Sequence, residues 1–228
     1  EIEYEPRKTE EGEVVPGHCL VSKGNWKMPI QIVESALSYL KDGKTVMVCA
    51  SCAYLLDPTI DELKRRGVPF ANPWRKKRLK WNPLNSFSGL TASNRVEMFM
   101  KPMFMHNRTD GKRYPKWTNQ EAWAWCEMLR QKDHFCKNGR KLLKQYASEE
   151  PNKQFRPDVH LSSESMIDLY GLITEGGWKS AMHWIKTNCS ARYQKSIVYP
   201  FSILTNHGYA ALSEQPGIYV GTIHSFKG

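Results

Sequence analysis

The chain has 228 residues, 40% of them apolar, with 33 Lys and Arg against 23 Asp and Glu and a net charge of +10. This length suits one large domain or a domain with an insertion, and the apolar share is enough to bury a core. No stretch approaches the ~20 apolar residues of a membrane helix, and Glu1-Ile2-Glu3-Tyr4-Glu5 lacks the basic and apolar regions of a signal peptide, so a cytoplasmic protein is expected.

In chain order, 18–23 reads as a weak strand. Residues 29–41 follow as an amphipathic helix, with Ile30, Ile32, Val33, Ala36, Leu37 and Leu40 on one stripe and Asp42-Gly43 ending it. Thr45-Val46-Met47-Val48-Cys49-Ala50 is a continuous apolar strand of the kind buried on both faces of a parallel sheet. Asp57 is placed to cap the next helix and Pro58 to sit at its first position; Gly67 closes it after Arg66. Val68-Pro69-Phe70 reads as a short strand, so 14–72 alternates strand and helix as a parallel sheet does.

From residue 73 the pattern changes. Asn72-Pro73-Trp74 and Trp81-Asn82-Pro83 are rich in helix breakers, a helix resumes over 91–100, and 101–117 reads as irregular and basic. Thr118-x-x-Glu121 is a capping box that opens a helix carrying Ala122, Trp125, Cys126 and Leu129. Further helices are expected over 139–148, 163–174 and 177–187, with a linker at 151–157 and Gly176-Gly177 separating the last two. The tryptophans 117, 123, 125, 178 and 184 read as core packing of this helical region. Residues 200–211 read as a connector, and 217–224 as a returning strand.

The charge is uneven. Residues 70–117 hold eleven Lys and Arg against Glu97 and Asp110, an excess of nine, interleaved with Phe70, Trp74, Trp81, Phe87, Phe99, Phe104, Tyr114 and Trp117. Cations that neutralise phosphates release counterions, and aromatic faces accept unstacked bases. Arg75, Lys76, Lys77, Arg78 and Lys80, flanked by Trp74 and Trp81, form the densest run; they suit a phosphate-tracking loop with a stacking platform, or a solvated loop over packed tryptophans. Cys49-x-x-Cys52 has metal or redox spacing, but no second pair completes a zinc pattern, so free reduced thiols are expected.

The C-terminus is Ile218-Tyr219-Val220-Gly221-Thr222-Ile223-His224-Ser225-Phe226-Lys227-Gly228. A strand end presenting Thr, His, Ser and Lys together is suited to holding phosphates, and Lys-Gly after a strand starts a turn, so the chain reads as part of a longer protein. Thr222 to Gly228 resembles motif V of superfamily 1 DNA helicases of the UvrD/Rep type. Residues 44–70, ending Arg66-Gly67-Val68-Pro69-Phe70, resemble that family's motif IV region. The resemblance implies an α/β fold: a partial RecA-like parallel sheet of the P-loop NTPase type, without the P-loop, interrupted by a mostly α-helical inserted subdomain. The implied divisions are 1–84 and 196–228 for the RecA-like part and 85–195 for the insertion.

The same resemblance implies DNA contacts at Thr222, His224 and Ser225, and a place at the ATP cleft for Lys227 and Gly228. It implies ATP and Mg as cofactors of a complete enzyme moving 3′ to 5′ on single-stranded DNA, with a first RecA-like domain as partner. The chain departs from the family in having no Gly-x-x-x-x-Gly-Lys-Ser/Thr loop and no Asp-Glu pair after an apolar strand. Ala50 stands where the family often has Arg, and Gly89 stands alone where some relatives carry Gly-x-Gly. No catalytic residue is therefore expected here, and the chain alone should not hydrolyse ATP. The alternative is a non-enzymatic, basic α/β module that binds nucleic acid.

Overall fold

The computed structural model describes residues 9–14, 25–84, 90–105 and 115–226. The expected strand at 18–23 lies outside them, as do Gly89, Lys227 and Gly228. Helix α1 (Ile30–Lys41) buries Val33 and Ala36, and the chain turns out of it at Gly43 with φ +74°. Strand β1 (Val46–Ala50) leads through a 3-10 turn (Ala53–Leu56) into α2 (Asp57–Arg65), which buries Ile60 and Leu63. Pro58 occupies the first turn of α2, where a missing N–H breaks no helical bond. Asp57 does not cap. It is already helical, and its carboxylate meets Lys80 Nζ at 2.6 Å instead.

Strand β2 (Ile218–Thr222) lies parallel to β1, with Val46 beside Ile218 and Ala50 beside Thr222. Ala71 flanks β2 on its other side: its N–H donates to Ile218 O at 3.1 Å, and Val220 N–H donates to Ala71 O at 3.0 Å. The expected strand at 68–70 does not form, and only Ala71, the residue after it, bridges β2. Pro69 has no N–H to give, and Val68 O is taken by the Tyr199 hydroxyl at 2.9 Å.

Strand β1 is also not buried on both faces. Met47 is 49% exposed and Cys49 is exposed, whereas Val46, Val48 and Ala50 are half-buried in line with the fully buried Ile218 and Val220. Successive strand residues face opposite sides, so this two-stranded sheet has one covered face and one partly open face.

Between β1 and β2 the chain is largely helical. Helix α3 (Ala92–Met105) runs past its expected end and carries Pro102 inside it. Helix α4 (Asn119–Cys126) opens on the full capping box: Thr118 Oγ1 accepts from Glu121 N–H, and Glu121 Oε2 accepts from Thr118 N–H. Helix α5 (Gly139–Glu149) follows, then α6 (Ser163–Asn188), whose backbone is non-helical at Gly177 (φ 62°, ψ −149°), so it consists of two helices divided at the expected Gly176-Gly177. Single turns occur at Gln131–His134, Pro157–His160 and Ala191–Gln194.

Helix α7 (Val198–His207) replaces the expected connector. Pro200 is its third residue, within the turn whose N–H groups have no helical partner. This helix packs on the end of α2: Asn206 Nδ2 donates to Arg66 O at 2.9 Å, and a Cβ on Gly67 (φ +63°) would lie 2.6 Å from Ser202 Cβ. Phe99 and Trp117 stack at 5.7 Å, Trp125 packs 5.2 Å from both, and Trp184 joins at 6.4 Å from Trp125. One apolar cluster runs from these rings to Ile218 and Val220, so helices and sheet share a core. Among the described residues no helix is long and apolar enough to cross a membrane.

Candidate nucleic-acid interface

Three parallel segments end on the same edge of the sheet, and in α/β sheets ligands collect at that carboxyl edge. β1 runs out into Ser51 and Cys52, Ala71 into Asn72 and Trp74, and β2 into a helical turn, Ile223–Phe226. Ala50 and Thr222 lie side by side at this edge. The expected strand at 217–224 stops at Thr222, so His224 and Ser225 sit on the helical turn. His224 is exposed and Thr222 half-exposed.

Ser225 is 3% exposed, and its hydroxyl is committed to the fold. It donates to Thr222 O at 2.7 Å and accepts from Asn72 Nδ2 at 3.2 Å. This corrects its assignment as a DNA contact: a buried hydroxyl with both roles filled shapes the strand-to-helix turn.

Asn72 is fully buried and organises the edge. Nδ2 also donates to Val220 O at 2.9 Å. Oδ1 accepts the N–H groups of Trp74 and Arg75 at 3.1 and 2.9 Å, the local turn that Asn favours. Its own N–H donates to Asn82 Oδ1 at 2.7 Å, while Asn82 Nδ2 reaches Arg75 O at 3.0 Å and Arg78 O at 3.3 Å. Two buried asparagines thus brace both ends of the basic loop and fix it beside the end of β2. Their signal in the sequence was only that of loop breakers.

Residues 74–80 are all exposed. Five of the seven are cationic, and the loop contains no carboxylate. Lys80 is half-engaged by Asp57 in a surface pair, which is worth little in water. Arg75, Lys76, Lys77 and Arg78 lie within one tight turn, where Arg78 N–H donates to Arg75 O at 2.9 Å. Such crowded positive charge favours a polyanion.

Trp74 and Trp81 part ways. Trp74 is 45% exposed and meets the Tyr219 ring edge-on at 6.2 Å. Trp81 is 2% exposed, with the Arg78 guanidinium 4.2 Å over its ring. A base cannot reach it, so the expected stacking role of Trp81 is corrected to core packing under the loop.

Lys64, absent from the sequence reading, extends the positive region. It lines a hollow of about 270 Å³ with Leu79, Ser93 and Lys195. Burial, and then the charge of Lys80, push its ammonium pKa below the ordinary value, while Asp61 opposes the shift. Cys49 and Cys52 are free, exposed thiols. Among the described residues no three His, Cys, Asp or Glu side chains gather to hold a metal ion. No family model matches the chain, and searches of curated proteins and of solved structures find no match either.

Proposed function

We propose that this chain is a RecA-like half of a superfamily 1 DNA helicase of the UvrD/Rep type, and that its carboxyl edge grips single-stranded DNA. Arg75, Lys76, Lys77 and Arg78 neutralise phosphates, Trp74 meets the strand beside them, and Thr222 and His224 supply hydrogen-bond donors at the end of β2. ATP and Mg are held chiefly by a partner domain carrying the phosphate loop that this sequence lacks. Closure of that cleft on ATP moves the two halves along the strand.

The observation that carries this reading is the parallel pairing of β1 with β2 in the register that sets Ala50 beside Thr222. The two motif-like segments, far apart in sequence, share one edge, and the braced basic loop flanks it. The missing phosphate loop equally suits the second reading, a binding module with no motor.

Anisotropy of a labelled oligo(dT) titrated with the chain tests the grip. Affinity should fall steeply between about 50 and 200 mM salt, with a log–log slope of about 0.7 per phosphate contacted. Salt-indifferent binding, or none, sinks the reading. ATPase assays of a phosphate-loop domain with and without this chain separate motor from module: DNA-stimulated hydrolysis only in the mixture supports the motor.

A further inference from the structure

The partly open face of the sheet gathers apolar side chains that the loop charges do not explain. Met47 and Tyr219 are direct neighbours across β1 and β2 and therefore lie on the same face. Cys49, two residues on from Met47, shares that face. The Trp74 ring stands at 75° to the Tyr219 ring, and the Gln215 side-chain amide donates to the Tyr219 hydroxyl, holding this ring in place. Met47 is 49% and Trp74 45% exposed, whereas the opposite face buries Ile218 and Val220 completely. Parallel sheets ordinarily have both faces covered.

From this juxtaposition we infer that Trp74, Tyr219 and Met47 form a base-binding platform for single-stranded nucleic acid. The bases lie on the sheet face and the phosphates run along Arg75 to Lys80. The inference rests on the proposed grip and adds where the bases go. Charge complementarity selects this occupant. The five cations of the loop begin at the residue directly after Trp74, so a strand whose phosphates follow the loop delivers its bases to the indole. Stacking uses the π-face that every base shares, so the platform is indifferent to sequence. Tyr219 is a positioning residue: its edge-on contact sets the indole, and its own ring is partly covered.

The test compares oligo(dT) with an abasic phosphodiester strand of the same length, using wild type, Trp74→Ala, Trp74→Phe, Tyr219→Phe, Tyr219→Leu and Arg75→Gln/Lys77→Gln. Trp74→Ala should weaken oligo(dT) binding by about 5- to 100-fold and leave abasic binding unchanged. Trp74→Phe and Tyr219→Phe should keep most of the affinity, because each keeps its ring. Tyr219→Leu should weaken oligo(dT) binding only. If wild type binds both strands equally, or Trp74→Ala weakens both alike, the platform is overturned while the phosphate grip stands. If Arg75→Gln/Lys77→Gln changes nothing but Trp74→Ala still discriminates between the strands, the grip fails and the platform survives. A Trp74→Ala or Met47→Gln variant that changes only the chain's oligomeric state marks the face as a protein interface and overturns the inference.

Discussion

The side-chain amide of Asn72 donates to the Ser225 hydroxyl across 3.2 Å, joining residues 153 positions apart. Asn72 begins the basic loop, and Ser225 sits in the turn that follows β2. Through this bond and that to Val220 O, the loop and the motif V-like segment are placed as one unit.

Replacing Asn72 with Ala removes that link. Val220 O and the Trp74 N–H then lose their side-chain partner, while the Arg75 N–H keeps the backbone oxygen of residue 72 at 3.3 Å. Each orphaned group costs about 1–3 kcal/mol, so a loss of about 2–4 kcal/mol is expected after relaxation. Asn72→Asp should cost more, since it sets a carboxylate against a carbonyl. Urea unfolding measures both; an Asn72→Ala midpoint equal to wild type would show the link to be idle.

Charge removal from the loop should act without unfolding. Arg75→Gln and Lys77→Gln alter exposed side chains, so stability should stay within about 0.5 kcal/mol. Each should lower the salt slope of oligo(dT) binding by about 0.7 and weaken all sequences alike. Titrations at several salt concentrations read this directly.

The two halves of the Arg78–Trp81 contact should behave unequally. Trp81→Ala empties a buried site and should cost about 3–5 kcal/mol. Arg78→Ala loses an exposed cation–π contact worth about 0.5–1 kcal/mol and should weaken DNA binding as its neighbours do. Were Trp81→Ala to fold normally and lose only DNA affinity, the assignment of this ring to packing would fail.

Glu62 makes stability depend on acidity. Hydrogen bonds from Arg65 and then Arg66 hold its carboxyl down at about 2 against the ordinary 4.5, with burial opposing. The folded state thus favours the ionised form. Its contribution is fully present above about 4.5 and is lost as pH falls toward 2. Melting temperature followed from pH 6 to pH 2 should drop less steeply for Glu62→Gln than for wild type; parallel curves would exclude this pair as a source of acid lability.

Gly67 should resist substitution. Its φ of +63° disfavours any Cβ, and an added Cβ would meet Ser202 at 2.6 Å. Gly67→Ala should therefore cost at least about 1–2 kcal/mol by backbone strain alone, before α7 moves. Differential scanning calorimetry checks this.

Much of the local structure was legible. The stripe from Val33 to Leu40, the Thr118–Glu121 box and the Gly67 stop depend on residues within a turn or two of each other and appear where the pattern puts them, whereas Ile30 at the start of the stripe is 47% exposed. Two prolines lie inside helices where the sequence reading expected none. Pro200 opens the expected connector, yet it occupies the N-terminal turn of α7, where its absent N–H has no helical partner to lose; Pro102 is carried inside α3 by a core that outweighs one lost bond.

By itself the sequence determined the helix periods, the strong positive excess in one loop and the two apolar strands that could pair. The tertiary structure alone decided that Trp74 faces solvent while Trp81 is buried, that Ser225 serves the fold, and that one face of β1 stays partly open. The two tryptophans flank the same cations in similar local sequence. Burial depends on which residues arrive on each side, and the contact of Tyr219 with Trp74 is one that no sequence window spans.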